Sequence, residues 1–185
     1  MIYLMRHGQD DETYIGGWSD VSLIEEGIKE VKDTALWIKD NLVISNIICS
    51  DVKRAMDTAE MVSDIIGVPY SSSTLIREQN KGKLNGMVKT KAQELYPEYF
   101  DGVNIDTVYP DGESLRDLYM RMKEFINNIK EIDANTLIIT HRGVINMFYY
   151  LFNDIPLDMN KKRFGVETAS LHEVDSNMKL IKKIK

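Results

Sequence analysis

Arg6-His7, Arg54, Glu78 and His141 are the residues whose types combine into one chemistry. A guanidinium is a fixed cation whose planar fork matches the oxygens of a phosphate. A neutral imidazole attacks phosphorus when its other ring nitrogen is held by an acceptor such as a backbone carbonyl. A second imidazole, donating to the phosphoryl oxygens, stabilises the charge they carry in the transition state. A carboxyl beside the breaking bond protonates the leaving alkoxide and then activates water. On these grounds His7 is the candidate nucleophile, Glu78 the candidate general acid and base, and Arg6, Arg54 and His141 the candidate phosphate ligands. Taken singly, each has an ordinary alternative: an arginine is usually a solvated charge, and a lone histidine a satisfied structural group. Their placement has to decide.

The apolar run Ile2 to Met5 reads as a short buried strand that delivers Arg6-His7-Gly8 at its end. Ser45 to Cys49 reads as a second strand, with Ser50 capping a helix that carries Arg54 one turn on. Gly67 ends that helix and Pro69 forbids its continuation. Pro69 to Ile76 forms a third strand ending at Arg77-Glu78, and Thr136 to Thr140 a further one delivering His141. In open α/β sheets ligands bind at the carboxyl ends of the strands, so these four ends are expected to converge on one site. Helices fill the intervals. The first opens on a capping box of Ser22 with Glu25 and runs to about Asn41 or Leu42. Others span Lys89 to Tyr96, Glu113 to Ile132 and Gly143 to Phe152. The chain closes as a hairpin, Val166 to Val174 and Met178 to Ile184, around a turn at Asp175-Ser176-Asn177. Gln79 to Val88 reads as a loop, and Tyr99 to Asp111 carries no clear pattern. The expected fold is one α/β domain over residues 1–185, a three-layer sandwich with a mainly parallel central sheet and helices on both faces.

Bulk properties narrow the function. The 185 residues are 43% hydrophobic and 28% charged, the composition of a folded domain. A net charge of −6 argues against non-specific nucleic-acid binding. Cys49 stands alone, so no intrachain disulfide forms. The apolar N-terminus is cut short by Arg6, and no later stretch approaches the ~20 residues of a membrane span. A cytoplasmic protein with no membrane partner is expected, and a homodimer through an edge strand is left open. There is no paired-cysteine, His-Glu-x-x-His or calcium-loop pattern, and no Walker or dinucleotide fingerprint, so no metal and no cofactor are expected.

The motifs as they stand resemble the histidine phosphatase superfamily, the phosphoglycerate mutase-like proteins. Leu4-Met5-Arg6-His7-Gly8-Gln9 is similar to its Arg-His-Gly signature. Trp18-Ser19-Asp20-Val21-Ser22-Leu23 with Gly27, Ser50-Asp51-Val52-Lys53-Arg54-Ala55 with Thr58-Ala59, and Arg77-Glu78 with Gly82 and Gly86 follow in the family's order. So do Pro110-Asp111-Gly112-Glu113-Ser114 with Arg121, and Thr140-His141 with Gly143-Val144-Ile145. The resemblance implies a phosphohistidine on His7, phosphate held by Arg6, Arg54 and His141, and acid–base work by Glu78, which coincides with the reading from residue chemistry. It implies a phosphoglycerate mutase-like fold and, at this length, a phosphatase of small phosphorylated metabolites, such as α-ribazole phosphate, sugar phosphates or phosphoserine. The chain departs from the pattern at Arg142 (usually Gly), Thr13 (usually Asn), Asp10 (usually Thr or Ser) and Glu167 (usually Asn). Arg142 either contacts substrate or turns outward as a helix-start residue.

Gln9, Thr13, Gly17, Trp18 and Arg142 are the candidate substrate contacts, with Trp18 placed at the entrance. His172 is expected to be structural. Lys81, Lys83, Lys89 and Lys91 read as a solvated face, with steering of anionic substrates as the alternative. Two rival functions stay open: a mutase that needs a primed phosphohistidine, and a phosphate-binding relative without catalysis.

Overall fold

The computed structural model describes residues 1–128, 132, 135–175 and 180–185. Strands β1 (Ile2–Arg6), β2 (Asn46–Ser50), β3 (Tyr70–Ser73), β4 (Thr136–Thr140), β5 (Leu171–Asp175) and β6 (Leu180–Lys183) form one sheet in the order β3-β2-β4-β1-β5-β6. The β3–β2, β2–β4 and β4–β1 ladders are parallel, while β5 joins β1 and β6 joins β5 by antiparallel ladders. The register sets Arg6 beside Thr140 and Cys49 beside Ile139, so the chain leaves β1, β2 and β4 at the same edge of the sheet.

Helices α1 (Glu25–Asn41), α2 (Lys53–Ile66), α3 (Lys89–Leu95), α4 (Leu115–Asn127) and α5 (Arg142–Phe152) accompany the strands. The two-residue period of β1 assigns them to faces. Tyr3 and Met5 pack with Val31, Ala35 and Ile38 of α1 and Ala59 and Val62 of α2. Ile2 and Leu4 pack with Leu118 and Met122 of α4 and Val144, Ile145 and Phe148 of α5. β4 divides in the same way, with Leu137 and Ile139 toward α1 and α2 and Ile138 toward α4 and α5. A strand buried on both faces needs apolar residues at every position, which is why these runs lack polar alternation. Each fully buried Leu or Ile contributes about 1.5–3 kcal/mol. The result is the expected three-layer α/β sandwich. Among the described residues no helix is long and apolar enough to cross a membrane.

Several boundaries differ from expectation for identifiable reasons. Ser22 does not cap α1; the N-cap is Ile24, without a side-chain bond. Asp10 and Leu23 form an antiparallel bridge and Ile24 N donates to Gln9 O, which keeps this segment extended until Glu25. Ser50 is the last residue of β2, and Val52 is the N-cap of α2. β3 ends at Ser73, because Thr74–Ile76 tightens into a 3-10 turn begun by the Ser73 hydroxyl. α4 opens at a capping box in which Ser114 and Asp117 exchange bonds, and closes at Asn127 rather than Ile132. The end of the span expected for this helix lies partly outside the described residues, as does the hairpin turn except for Asp175. Gly67 ends α2 in the left-handed region, as expected.

Candidate active site

The four strand ends do converge. Arg6 closes β1 and His7 follows it; the backbone N of His7 donates to Thr140 O at 2.9 Å, and its carbonyl accepts from Ala169. His141 follows β4 and is the N-cap of α5. Arg54 lies in the first turn of α2, where Thr58 ties the helix to the signature loop by accepting from Gly8 N and donating to Arg54 O. Glu78 follows the 3-10 turn after β3.

A chain of polar contacts links these residues. His7 Nδ1 lies 2.7 Å from Gly8 O, and His7 Nε2 accepts from Arg54 Nε at 3.1 Å. A carbonyl only accepts and a guanidinium only donates, so the proton sits on Nδ1 and the lone pair on Nε2, where it accepts from Arg54. Arg54 Nη2 donates to Gly17 O at 2.9 Å and to His141 Nδ1 at 3.2 Å. The same logic puts the His141 proton on Nε2, which donates to Ser50 Oγ at 2.8 Å. The two imidazole rings stand 5.1 Å apart.

All of these groups are buried: His7 is 4% exposed, Arg54 2% and His141 0%. Burial, reinforced by the charges of Arg54 and Arg6, holds His7 well below the usual imidazole range and therefore neutral. Burial first, then Arg54, does the same to His141. Burial, and then the charge of Arg142, bring Arg6 down to about 10. Arg6 Nη1 and Arg142 Nε both donate to Val166 O, and Arg6 Nε has no partner among the described residues. Asp10 Oδ2 lies 3.4 Å from Arg54 Nε, partly balancing the cations.

Glu78 is fixed by backbone on both sides. Its Oε1 accepts from Gln79 N at 2.8 Å and its Oε2 from Gly143 N, in the first turn of α5, at 3.0 Å. Its carbonyl accepts from the Trp18 indole, and Arg121 donates to the carbonyls of Leu75, Arg77 and Glu78. The loop that carries the carboxylate is thus pinned from α4 and from the signature side.

His7, Arg6, Arg54, Glu78 and Arg142 line one cavity of about 490 Å³. A cationic floor with a neutral imidazole and a carboxylate is suited to phosphoryl transfer. A family profile for the histidine phosphatase superfamily (branch 1) matches residues 2–180. The chain belongs to this superfamily. It is 29% identical over 158 residues to phosphoglycerate mutase-like protein 4 of Arabidopsis thaliana, spanning 80% of this chain and 69% of that protein. It is 32% identical over 160 residues to 6-phosphofructo-2-kinase/fructose-2,6-bisphosphatase 4 of Homo sapiens, spanning 83% of this chain and 33% of that longer protein. Among solved structures, the α-ribazole phosphatase from Shigella flexneri matches with a TM-score of 0.82 at 19% identity, over 99% of this chain and 94% of that one. That last likeness is one of fold.

Within this histidine phosphatase framework the expected substrate contacts separate. Arg142 turns inward beside Arg6 and Gly17 reaches the cavity wall, its carbonyl holding Arg54. Thr13 does not line the cavity: its hydroxyl and backbone N both donate to Asp11 Oδ1 in an exposed local turn. Trp18 does not line it either; the indole N–H is spent on Glu78 O and the ring lies under the Arg77 guanidinium. Gln9 is absent from the lining, and its backbone N and O are taken by Glu30 and Ile24. His141 sits behind the wall, in contact with Arg54 rather than with the cavity itself. The structure brings to the site residues that the sequence did not place among the candidate contacts. Ser50, expected as a helix cap, supports His141. Lys81, read as part of a solvated face, and Asn146, unremarked within α5, both line the cavity.

Proposed function

We propose that the chain hydrolyses small phosphate monoesters through a phosphohistidine on His7, without a metal ion. The observation that carries this reading is the fixed tautomer of His7: Nδ1–H on the Gly8 carbonyl, with the Nε2 lone pair facing the guanidinium of Arg54. An incoming phosphate takes over the Arg54 N–H that now rests on Nε2, which brings phosphorus to the nucleophile and exchanges one acceptor for a more strongly charged one.

In the first step Nε2 forms a bond to phosphorus, the ester P–O bond breaks, and the leaving oxygen takes a proton from Glu78. Arg6, Arg54 and Arg142 stabilise the equatorial oxygens. When Arg54 turns to phosphate it releases His141 Nδ1, which takes the proton brought in by a monoanionic ester and donates it back to a phosphoryl oxygen. In the second step water attacks phosphorus and gives its proton to Glu78, the P–N bond breaks, and His7 returns to its neutral tautomer.

The test is release of inorganic phosphate by chelator-treated protein from a panel of small phosphate monoesters and p-nitrophenyl phosphate. The expected result is release that falls about a thousandfold or more in His7→Ala. Retained hydrolysis in His7→Ala overturns the covalent route. Absence of release from every ester, with phosphoryl exchange between two esters instead, assigns the site to a mutase.

A further inference from the structure

Lys81, Lys89 and Lys161 all line the cavity, and the carboxylates of Glu78 and Glu113 act on Lys81 only from a distance. Lys81 Nζ donates to the neutral Gln79 Oε1 at 2.5 Å and lies 3.9 Å from the centre of the Tyr109 ring. Lys161 lines the same wall. Among the described residues neither Lys81 nor Lys161 has a carboxylate within ion-pair distance; Lys81 is half-buried and Lys161 exposed. Three of the cavity's four carboxylates are engaged elsewhere. Asp10 faces Arg54, Glu78 accepts backbone N–H groups, and Asp158 accepts from Tyr150 and Asn160, while Glu12 is exposed.

A third group points the same way. Asn146 is 4% exposed and lines this cavity; its Nδ2 donates to Lys161 O at 3.0 Å, and its Oδ1 has no partner among the described residues. Because Lys161 O can only accept, the amide orientation is fixed and the unpaired atom is the acceptor. An unpaired buried acceptor costs about 1–3 kcal/mol and marks a place for a ligand donor.

The two ends of the cavity are close. A Cβ built on Gly17 would stand 3.0 Å from Lys81 Cγ, and the Gly17 carbonyl accepts from Arg54. Lys81 and Arg54 therefore both adjoin Gly17.

We propose that the alcohol half of the substrate carries a second anionic group, carboxylate or phosphate, bound by Lys81 and Lys161, and a hydroxyl or N–H donated to Asn146 Oδ1. The proposal rests on the phosphate-ester reading above. Burial and the neighbouring Lys161 bring the Lys81 ammonium down to about 7, and an anionic oxygen against Nζ supplies the missing counter-charge. Tyr99 and Tyr109, stacked at 5.1 Å, line the cavity beside Lys81.

The test compares matched esters: glycerol 3-phosphate with 3-phosphoglycerate for the carboxylate, and fructose 6-phosphate with fructose 1,6-bisphosphate for the phosphate. The wild-type protein should favour the member with the extra anion at least about tenfold in kcat/KM in one pair, which identifies the anion. Lys81→Met, and separately Lys161→Met, should reduce that ratio toward one, each raising KM more than it lowers kcat. Calorimetric Kd ratios for the same pairs, measured in His7→Ala with and without Lys81→Met, report the preference without turnover. Absence of hydrolysis with an intact Kd ratio defeats the phosphatase reading and leaves the anion subsite standing. Equal ratios in the wild type and Lys81→Met, or no preference in either pair, overturn the subsite.

Discussion

The Glu78 carboxylate is seated on the N-terminus of α5 through Gly143: Oε2 accepts the Gly143 N–H at 3.0 Å, and a Cβ at residue 143 would stand 2.0 Å from Oε1. The helix that begins after His141 therefore fixes Glu78 as well as the second histidine. No side chain fits between them. Gly143→Ala should displace Glu78 without unfolding α5, since alanine is the best helix former. The expected result is a loss of about a hundredfold in turnover of alkyl phosphates, with a smaller loss on p-nitrophenyl phosphate, whose leaving group needs little protonation. Glu78→Gln should show the same leaving-group dependence. Equal losses on both esters would show that Glu78 serves binding or structure instead.

Ser50 supports His141 in the same manner. Its hydroxyl accepts the Nε2 proton at 2.8 Å, which leaves Nδ1 toward Arg54. Ser50→Ala leaves a buried N–H unpaired, at a cost of about 1–3 kcal/mol in stability. It should also slow turnover about tenfold, because the ring is no longer held in one orientation. Thermal melting reads the first effect, and nitrogen NMR of the His141 tautomer reads the second. An unchanged tautomer together with unchanged turnover would remove Ser50 from the site.

His172 sets part of the acid stability. The Ser170 hydroxyl spends its proton on Glu167 O and so accepts from His172 Nε2, while Nδ1 accepts from Tyr149. Burial above all brings His172 down to about 4. Its folded value is below the unfolded one of about 6.5, so the unfolded chain takes up the proton first as pH falls. The stabilisation is present above pH 6.5 and is lost as pH drops toward 4, by about 3 kcal/mol. His7 and His141, also held low, add to this acid loss. Urea unfolding at several pH values should show the decline, and His172→Gln should flatten it. An identical slope in the variant would contradict the assignment.

The catalytic strand ends were readable because parallel strands buried on both faces are continuous apolar runs, and the first polar residue after each run is where the sheet opens. Ile2 to Met5 leads to Arg6-His7, and Thr136 to Thr140 leads to His141. The Ser50 contact was not readable, since a serine before a helix looks the same whether its hydroxyl caps the helix or reaches a tertiary partner. Thr13 lies off the cavity wall because Asp11, two residues away, offers a local acceptor for its hydroxyl and backbone N.

The wall around Tyr99 and Tyr109 had no periodic signature. Its form depends on backbone bonds to a distant loop, such as Lys83 N to Pro110 O and Glu113 N to Asn80 O. Asn146 did leave a signal: a polar residue inside the buried run Val144 to Tyr150 of α5, where the helix has no solvent to meet it.

Covalent phosphate at His7 can be trapped by rapid quenching during turnover. A phosphate ester labelled in the phosphoryl group is mixed with protein, quenched in alkali within the first turnover, and the labelled peptide is mapped. The expected result is phosphate bound to the peptide containing His7, stable in alkali and lost in acid, and absent in His7→Ala. Turnover with no bound phosphate at any quench time, or phosphate on another residue, would contradict it.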